Sequence, residues 1–200
     1  MHLGNLLKST SKNYRKIPVK GISFDSRKIK RKDIFFAIKG NKTSGTNFIN
    51  DAISRGASAI VSSKKIKYKN RQIPLLLVKD VRKSLSEACS KFYRKKSPNI
   101  IAVTGTNGKS SVADFFYQIL NFNRISVASI GTLGIFSKNY CKKTNLTSMD
   151  PLSLHKSLEI LAKNKVNHVI LEASSHGLKQ KRLDNLNINT GIFTNLSHDH

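Results

Sequence analysis

Acidic side chains are scarce in this sequence. Its 200 residues hold 11 Asp and Glu against 36 Lys and Arg, a formal charge of +25. The imbalance is uneven: residues 1–97 carry 25 basic and 5 acidic side chains, whereas residues 98–200 carry 11 and 6. An excess of this size points to nucleic acid or an anionic surface, or to compositional drift toward lysine, isoleucine and asparagine in an A+T-rich genome. The lysines (Lys8, Lys12, Lys16, Lys20, Lys28, Lys39, Lys42) are dispersed and not interleaved with stacking aromatics. That pattern favours drift, so no specific nucleic-acid partner is expected, only weak, salt-sensitive adsorption to polyanions. Cysteine is nearly absent. Cys89 and Cys141 lie in unlike contexts without metal-ligand spacing, which reads as free thiols in a reducing compartment. Long apolar runs are missing as well. The opening MHLGNLLKSTSKN is too short in apolar residues for a signal peptide, and nothing approaches the ~20 residues of a membrane span. The chain reads as cytoplasmic, with no membrane insertion.

What is present is concentrated at residues 100–111, IIAVTGTNGKSS. A short apolar run, Ile100 to Val103, leads into Thr104-Gly105-Thr106-Asn107-Gly108 and then Lys109-Ser110-Ser111. Ser111 to Leu120 alternates polar and apolar residues at helical spacing. Strand, glycine turn and helix with a lysine in its first turn are the layout of a phosphate cradle. Glycines let backbone N–H groups converge on an anion, and the helix N-terminus adds partial positive charge. The lysine reaches terminal phosphates and the following hydroxyl suits Mg²⁺. The full P-loop pattern would place a glycine at position 103, where Val103 stands, so this is a shortened variant. The alternative is an ordinary strand–turn–helix, against which the Lys-Ser pair and the strand context both speak.

Elsewhere short strands alternate with helices. Strands are expected at 20–24, 33–38, 59–61, 75–78, 100–103, 125–130, 168–171 and 191–194. Helices are expected over 47–55 (stopped by Gly56), from an Asp80 N-cap through Tyr93, from the phosphate turn to about Asn121, and over 152–163. About fifteen polar and basic residues after Gly131 read as a loop. The charged, proline-broken stretch Arg94-Lys95-Lys96-Ser97-Pro98 marks a domain boundary, giving domains 1–97 and 98–200. Alternation of this kind implies an α/β fold with mostly parallel sheets, whose ligands gather at C-terminal strand ends. Three such ends are polar: Thr104-Gly105, Glu172 through His176, and Asn195 through His200. Glu172 is a candidate Mg²⁺ ligand beside Ser110, or else a solvated strand-end acid. His176 reads better as a packed polar residue than as a ligand or base. Ser174 and Ser175 read as hydrogen-bonding groups, since no G-x-S-x-G surrounds them. Ser197-His198-Asp199-His200 is either a metal or phosphate site or an uninvolved tail. Asp25-Ser26-Arg27 is by itself an ordinary turn.

Taken together these segments resemble the Mur ligases of peptidoglycan synthesis. The likeness runs through FDSR (24–27), DIFFAIKG (33–40), FINDAISRGASAIV (48–61), VTGTNGKSS (103–111), TSMDP (147–151), EASSHGLKQKR (172–182) and FTNLSHDH (193–200). The SSHGL segment points within the family to the branch that adds the third residue of the stem peptide, the tripeptide synthetases. The resemblance implies a small N-terminal UDP-binding domain followed by a P-loop-containing ATP-binding domain. It implies ATP and Mg²⁺ as cofactors, UDP-N-acetylmuramoyl-L-alanyl-D-glutamate as substrate, and a diamino acid (meso-diaminopimelate or L-lysine) added through an acyl phosphate. Family precedent also implies a monomer. On this reading Lys109 contacts the β- and γ-phosphates; Ser110 and Glu172 hold one Mg²⁺; His200 matches the family histidine at a second. Phe24, Ser26 and the Gly40-Asn41-Lys42-Thr43 turn match the uridine-diphosphate end. Thr147, Ser148, Ser174, Gln180 and Arg182 match positions that bind the muramoyl-dipeptide, where an arginine pairs bidentately with carboxylate or phosphate.

Departures from the family pattern are specific. The loop reads GKSS where two threonines are common, so the hydroxyl survives. TSMDP stands where TTPDP is usual and loses a proline. The central domain is incomplete against the family pattern, and the C-terminal domain has no counterpart. These 200 residues alone are therefore expected not to turn over, and the alternative to a ligase is an inactive nucleotide- or UDP-sugar-binding piece of one.

Overall fold

The computed structural model describes residues 1–8, 10–40, 43–68, 70, 72–144 and 146–197. Five candidate positions, Asn41, Lys42, His198, Asp199 and His200, lie outside the described residues. The chain divides into two units, Met1–Phe92 and Tyr93–His200. The division falls five residues before the expected boundary at 97/98.

The first unit opens with a short helix α1 (Leu3–Leu6) and runs through β1 (Gly21–Ser23), β2 (Asp33–Phe36), α2 (Ile49–Ser54), β3 (Ala59–Ser62), β4 (Leu75–Leu77) and α3 (Val81–Phe92). The strands form one sheet in the order β1-β2-β3-β4, every neighbouring pair parallel. All residues of β2 and β3 are buried, as expected where a parallel sheet is covered on both faces. Phe35 and Ile60 pack with Ile49 and Ala52 of α2 on one face. The expected helix over 47–55 begins as a 3₁₀ turn at Gly45–Phe48 and becomes α-helical only at Ile49. Gly56, at φ +96°, ends it. Asp80 accepts from the Lys83 amide at 3.0 Å, the N-cap geometry expected for α3.

The second unit contains β5 (Asn99–Thr104), α4 (Lys109–Phe122), β6 (Val127–Gly131), β7 (Gly134–Ser137), β8 (Tyr140–Lys142), α5 (Pro151–Lys163), β9 (His168–Glu172), α6 (Ser175–Lys179) and β10 (Thr190–Phe193). Its sheet has the order β10-β5-β9-β6-β7-β8. The first four strands are parallel and the last two antiparallel. Strand alternation divides the core. Ile101, Val103 and Ile170 face α4 through Ala113, while Ile100, Ala102, Val169 and Leu171 pack with Leu154, Leu158 and Leu161 of α5. Each of those leucines is at most 3 % exposed, worth about 1.5–3 kcal/mol apiece. Asp150 caps α5 by accepting from the Ser153 amide at 2.9 Å, and Pro151 fills the first helical position. The Asp-Pro of TSMDP is thus a helix start.

The stretch after Gly131 corrects the sequence reading. It is not a continuous loop but contains the antiparallel strands β7 and β8. A tight turn brings Gly134 to φ +129°, and Ile135 and Ser137 are buried while Phe136 points outward. Four residues of alternation are too short a signal beside Lys138, Lys142 and Lys143. The segment 175–179 is likewise helical, with Ser174 as its N-cap, accepting from the Gly177 amide at 3.0 Å.

Candidate functional site

The C-terminal ends of three adjacent parallel strands, β5, β9 and β6, bring together Thr104-Gly105, Glu172 and Gly131 at one edge of the second sheet. This is the crevice edge at which parallel α/β sheets receive ligands. Residues 104–108 turn from β5 into α4. Gly105 has φ +136° and Gly108, the residue capping α4, has φ +81°, both in the left-handed region that favours glycine. A Cβ on Gly105 would also strike the Thr194 hydroxyl. The first-turn amides of α4 have no acceptor further back in their own helix, so they are available to an anion. Lys109 Nζ bridges the loop, donating to the carbonyls of Gly105 at 2.6 Å and Thr106 at 2.8 Å.

Glu172 is the hub of the site. Its carboxylate is only 3 % exposed, so the solvated strand-end acid is excluded. Ser110 Oγ donates to Oε2 at 2.9 Å, the Thr132 amide to Oε1 at 2.9 Å and the Thr132 hydroxyl to Oε2 at 3.2 Å. The Thr132 hydroxyl also meets Thr147 Oγ1 at 3.0 Å. A Cβ on Gly131 would overlap the Glu172 carboxyl group, so the strand end of β6 must be bare for the acid to sit there. Beside this hub a cleft of about 180 Å³ runs between α4 and β7, with Ser110, Asp114, Tyr117, Phe136 and Glu172 among its lining.

A second network lies behind Glu172. Ser148 Oγ donates to the Glu172 carbonyl at 2.9 Å and accepts from the Ser174 amide at 2.8 Å; the two serine hydroxyls are 3.1 Å apart. Arg182 donates through Nη1 to the Ser148 carbonyl and through Nη2 to Gln180 Oε1 at 2.8 Å. Gln180 in turn meets the His176 ring. Ser148 and Ser174 therefore spend their hydroxyls joining the 147–151 loop to β9 and α6. Thr147, Gln180 and Arg182, each only partly buried, present polar groups beside them. His176 is exposed, which corrects its reading as a packed polar residue: a short helix at the strand end carries it outward.

In the first unit Ser26 is 5 % exposed and Phe24 is at the surface. The Ser26 hydroxyl, with Arg55 second, holds the Asp51 carboxyl below its ordinary range. Asp25 pairs with Arg27 through two contacts of 2.9 Å, and that guanidinium lowers its carboxyl in the same way. The Gly40 amide donates to the Thr43 carbonyl at 2.9 Å, just beyond β2. These residues gather at the C-terminal ends of β1 and β2.

Sequence reasoning gave no role to Thr132 or Thr194 and named Asn195 only as the start of a polar strand end. All three follow strand ends, the one local signal that marks them. Thr194 and Asn195 bond to the phosphate turn: Thr194 Oγ1 donates to the Asn107 carbonyl at 2.6 Å, and Asn195 Oδ1 accepts from the Asn107 amide at 3.0 Å. Ser111 is exposed at the start of α4. Among the described residues no cluster of three His, Cys, Asp or Glu side chains forms a metal cage, and no helix is long and apolar enough to cross a membrane.

Comparison with known proteins gives a consistent set of matches. Residues 103–200 match the Mur ligase middle domain and residues 18–93 the Mur ligase family catalytic domain. A relative from Brucella melitensis biotype 1 is 44% identical over 184 residues, covering 92% of this chain and 38% of its own length. One from Rickettsia conorii is 45% identical over 187 residues, covering 91% and 38%. Both carry the name UDP-N-acetylmuramoyl-L-alanyl-D-glutamate–2,6-diaminopimelate ligase. A solved structure of a ligase of that name superposes with TM-score 0.85 at 30% identity, over 100% of this chain and 41% of that one. The MurF ligase of Thermotoga maritima in complex with ADP shares the fold, with TM-score 0.58 at 23% identity over 88% of this chain and 38% of that one. The chain thus spans about two-fifths of the length of the curated relatives it matches.

Proposed function

Since the chain belongs to the Mur ligase family, we propose that it serves ATP-dependent amide-bond formation on a UDP-N-acetylmuramoyl-dipeptide in peptidoglycan synthesis. The substrate is UDP-N-acetylmuramoyl-L-alanyl-D-glutamate. The incoming diamino acid is 2,6-diaminopimelate, in keeping with the names of relatives at 44–45% identity. A D-glutamyl carboxylate oxygen attacks the γ-phosphorus of ATP and ADP leaves. The amine then attacks the acyl carbon, inorganic phosphate departs, and the amine nitrogen loses a proton. Little covalent chemistry falls to the protein, which positions the reactants and neutralises charge.

One observation carries this reading. The Glu172 carboxylate touches Ser110 of the phosphate turn on one side and Thr132, itself bonded to Thr147, on the other. Two groups of side chains, one suited to phosphates and one to a carboxylated peptide, thereby meet at a single buried acid. In the proposed assignment Thr104 through Ser111 cradle the triphosphate and Lys109 neutralises its β- and γ-phosphates. Ser110 and Glu172 offer hard oxygen donors that fit Mg²⁺, which usually takes one or two carboxylates and completes its shell with water and phosphate. When bound, Mg²⁺ would offset the charge on the transferring phosphoryl group. His200 is assigned to a second Mg²⁺ by family match alone. Thr147, Gln180 and Arg182 hold the muramoyl-dipeptide, with Ser148 and Ser174 fixing their loops. Phe24, Ser26 and the turn at 40–43 receive the uridine-diphosphate end. On this reading the protein works in the cytoplasm as a monomer, with neither nucleic acid nor membrane as partner.

The test is ADP formation by the purified protein with ATP, Mg²⁺, the UDP-linked dipeptide and diaminopimelate. For these 200 residues alone the proposal expects Mg²⁺–ATP binding that is lost in Lys109→Ala, without turnover. With a Mur ligase C-terminal domain supplied it expects ADP release that requires both acceptor substrates and is lost in Lys109→Ala. ADP release indifferent to the UDP-linked dipeptide would contradict it.

A further inference from the structure

The segment leaving β10 is exposed, with Phe193 at 63% and Leu196 at 85%, so burial does not explain why it lies where it does. Its polar groups do. The Thr106 amide donates to the Asn195 carbonyl at 3.0 Å, and the Asn107 amide donates to Asn195 Oδ1 at 3.0 Å. Asn195 Nδ2 returns a bond to the Asn107 carbonyl at 3.3 Å, and the Thr194 hydroxyl donates to that carbonyl at 2.6 Å. The Ser197 amide donates to Thr106 Oγ1 at 3.0 Å, and that hydroxyl donates to the Ser197 carbonyl at 3.2 Å. Both polar groups of the Asn107 backbone are thus committed to residues some 88 positions away.

A turn with two glycines at positive φ is conformationally loose by itself. If it were ordered only when the anion arrived, that ordering would subtract from affinity. Commitment of the apex to the segment after β10 leaves the amides at the start of α4 as the groups that meet phosphate, already aligned by the helix. We propose that Asn195 is a positioning residue, assisted by Thr194, which holds the apex of the phosphate turn so that nucleotide affinity depends on this hold. The inference rests on the nucleotide-binding reading above and adds what prepares the loop for it.

The experiment is amide NMR on the full chain, with Mg²⁺–ADP and, separately, inorganic pyrophosphate as probes. In the wild type either probe shifts the amides of Gly108, Lys109 and Ser110, and the Asn107 amide exchanges slowly with solvent. Asn195→Ala is expected to speed exchange at Asn107 while leaving the rest of the spectrum folded, and to raise the dissociation constant for Mg²⁺–ADP at least tenfold. Thr194→Val should weaken binding less, and Thr194→Ser, which keeps the hydroxyl, should restore it. Unchanged exchange at Asn107 in Asn195→Ala would overturn the hold itself. Faster exchange with affinity within twofold of wild type would overturn its link to binding. Absence of any wild-type shift at Gly108–Ser110 would overturn the nucleotide reading first, before any variant is made, and this inference with it.

Discussion

Ser110 Oγ donates to Glu172 Oε2 across 2.9 Å, tying the first turn of α4 to the C-terminal end of β9. The acid is held by three donors, two of them from Thr132. Glutamine at position 172 keeps the shape but sets an NH₂ group against hydroxyl and amide donors. Glu172→Gln should cost about 1–2 kcal/mol in urea unfolding and remove the Mg²⁺ dependence of nucleotide binding. Titrations with and without Mg²⁺ check the second effect.

Gly131→Ala probes the same hub from the neighbouring strand. The new Cβ would overlap the Glu172 carboxyl group, and relief requires pulling a buried acid off its donors. The expected destabilisation is about 2–3 kcal/mol, read from denaturant midpoints. Restoration of stability by pairing the change with a shortened acid, Glu172→Asp, would locate the clash.

Asp150 belongs to a segment that the resemblance ties to substrate, yet its side chain caps α5. Asp150→Ala should lower stability by about 1 kcal/mol. Thermal melting measures that loss, and the affinity for Mg²⁺–ADP should remain unchanged.

His155 supplies a pH dependence. It is fully buried in α5, and neither ring nitrogen has a partner among the described residues. Burial first, and the Lys96 charge second, push it down to about 3. The ordinary value, near 6.5, applies to the unfolded chain. Below pH 6.5 the unfolded state therefore binds a proton that the folded state refuses, and stability present above pH 6.5 is lost as pH falls toward 3. Between pH 6.5 and 5 the loss should be about 2 kcal/mol. Denaturant unfolding across that range checks it, and His155→Leu should flatten the slope.

The parts of the fold that were legible in the sequence are those with a local signal. Runs such as Ile100–Val103 and Val169–Leu171 are apolar because parallel strands are covered on both faces. The phosphate turn announces itself because glycine, lysine and serine each do one separable job there. Strands β7 and β8 were hidden because three or four residues of alternation are outweighed by lysines whose stems need no burial. The role of Thr132 was hidden because its partner lies 40 positions away, and Asn195 sits 88 positions from the turn it grips. No local pattern encodes such pairings. His155 was not singled out in the sequence, since only tertiary packing seals it.

The most direct measurement is calorimetric titration of Mg²⁺–ATP into wild-type protein, Lys109→Ala and Glu172→Gln. The account predicts binding by the wild type that is strengthened by Mg²⁺, binding lost in Lys109→Ala, and binding indifferent to Mg²⁺ in Glu172→Gln. Equal affinity in all three proteins, or no binding by the wild type, would contradict it.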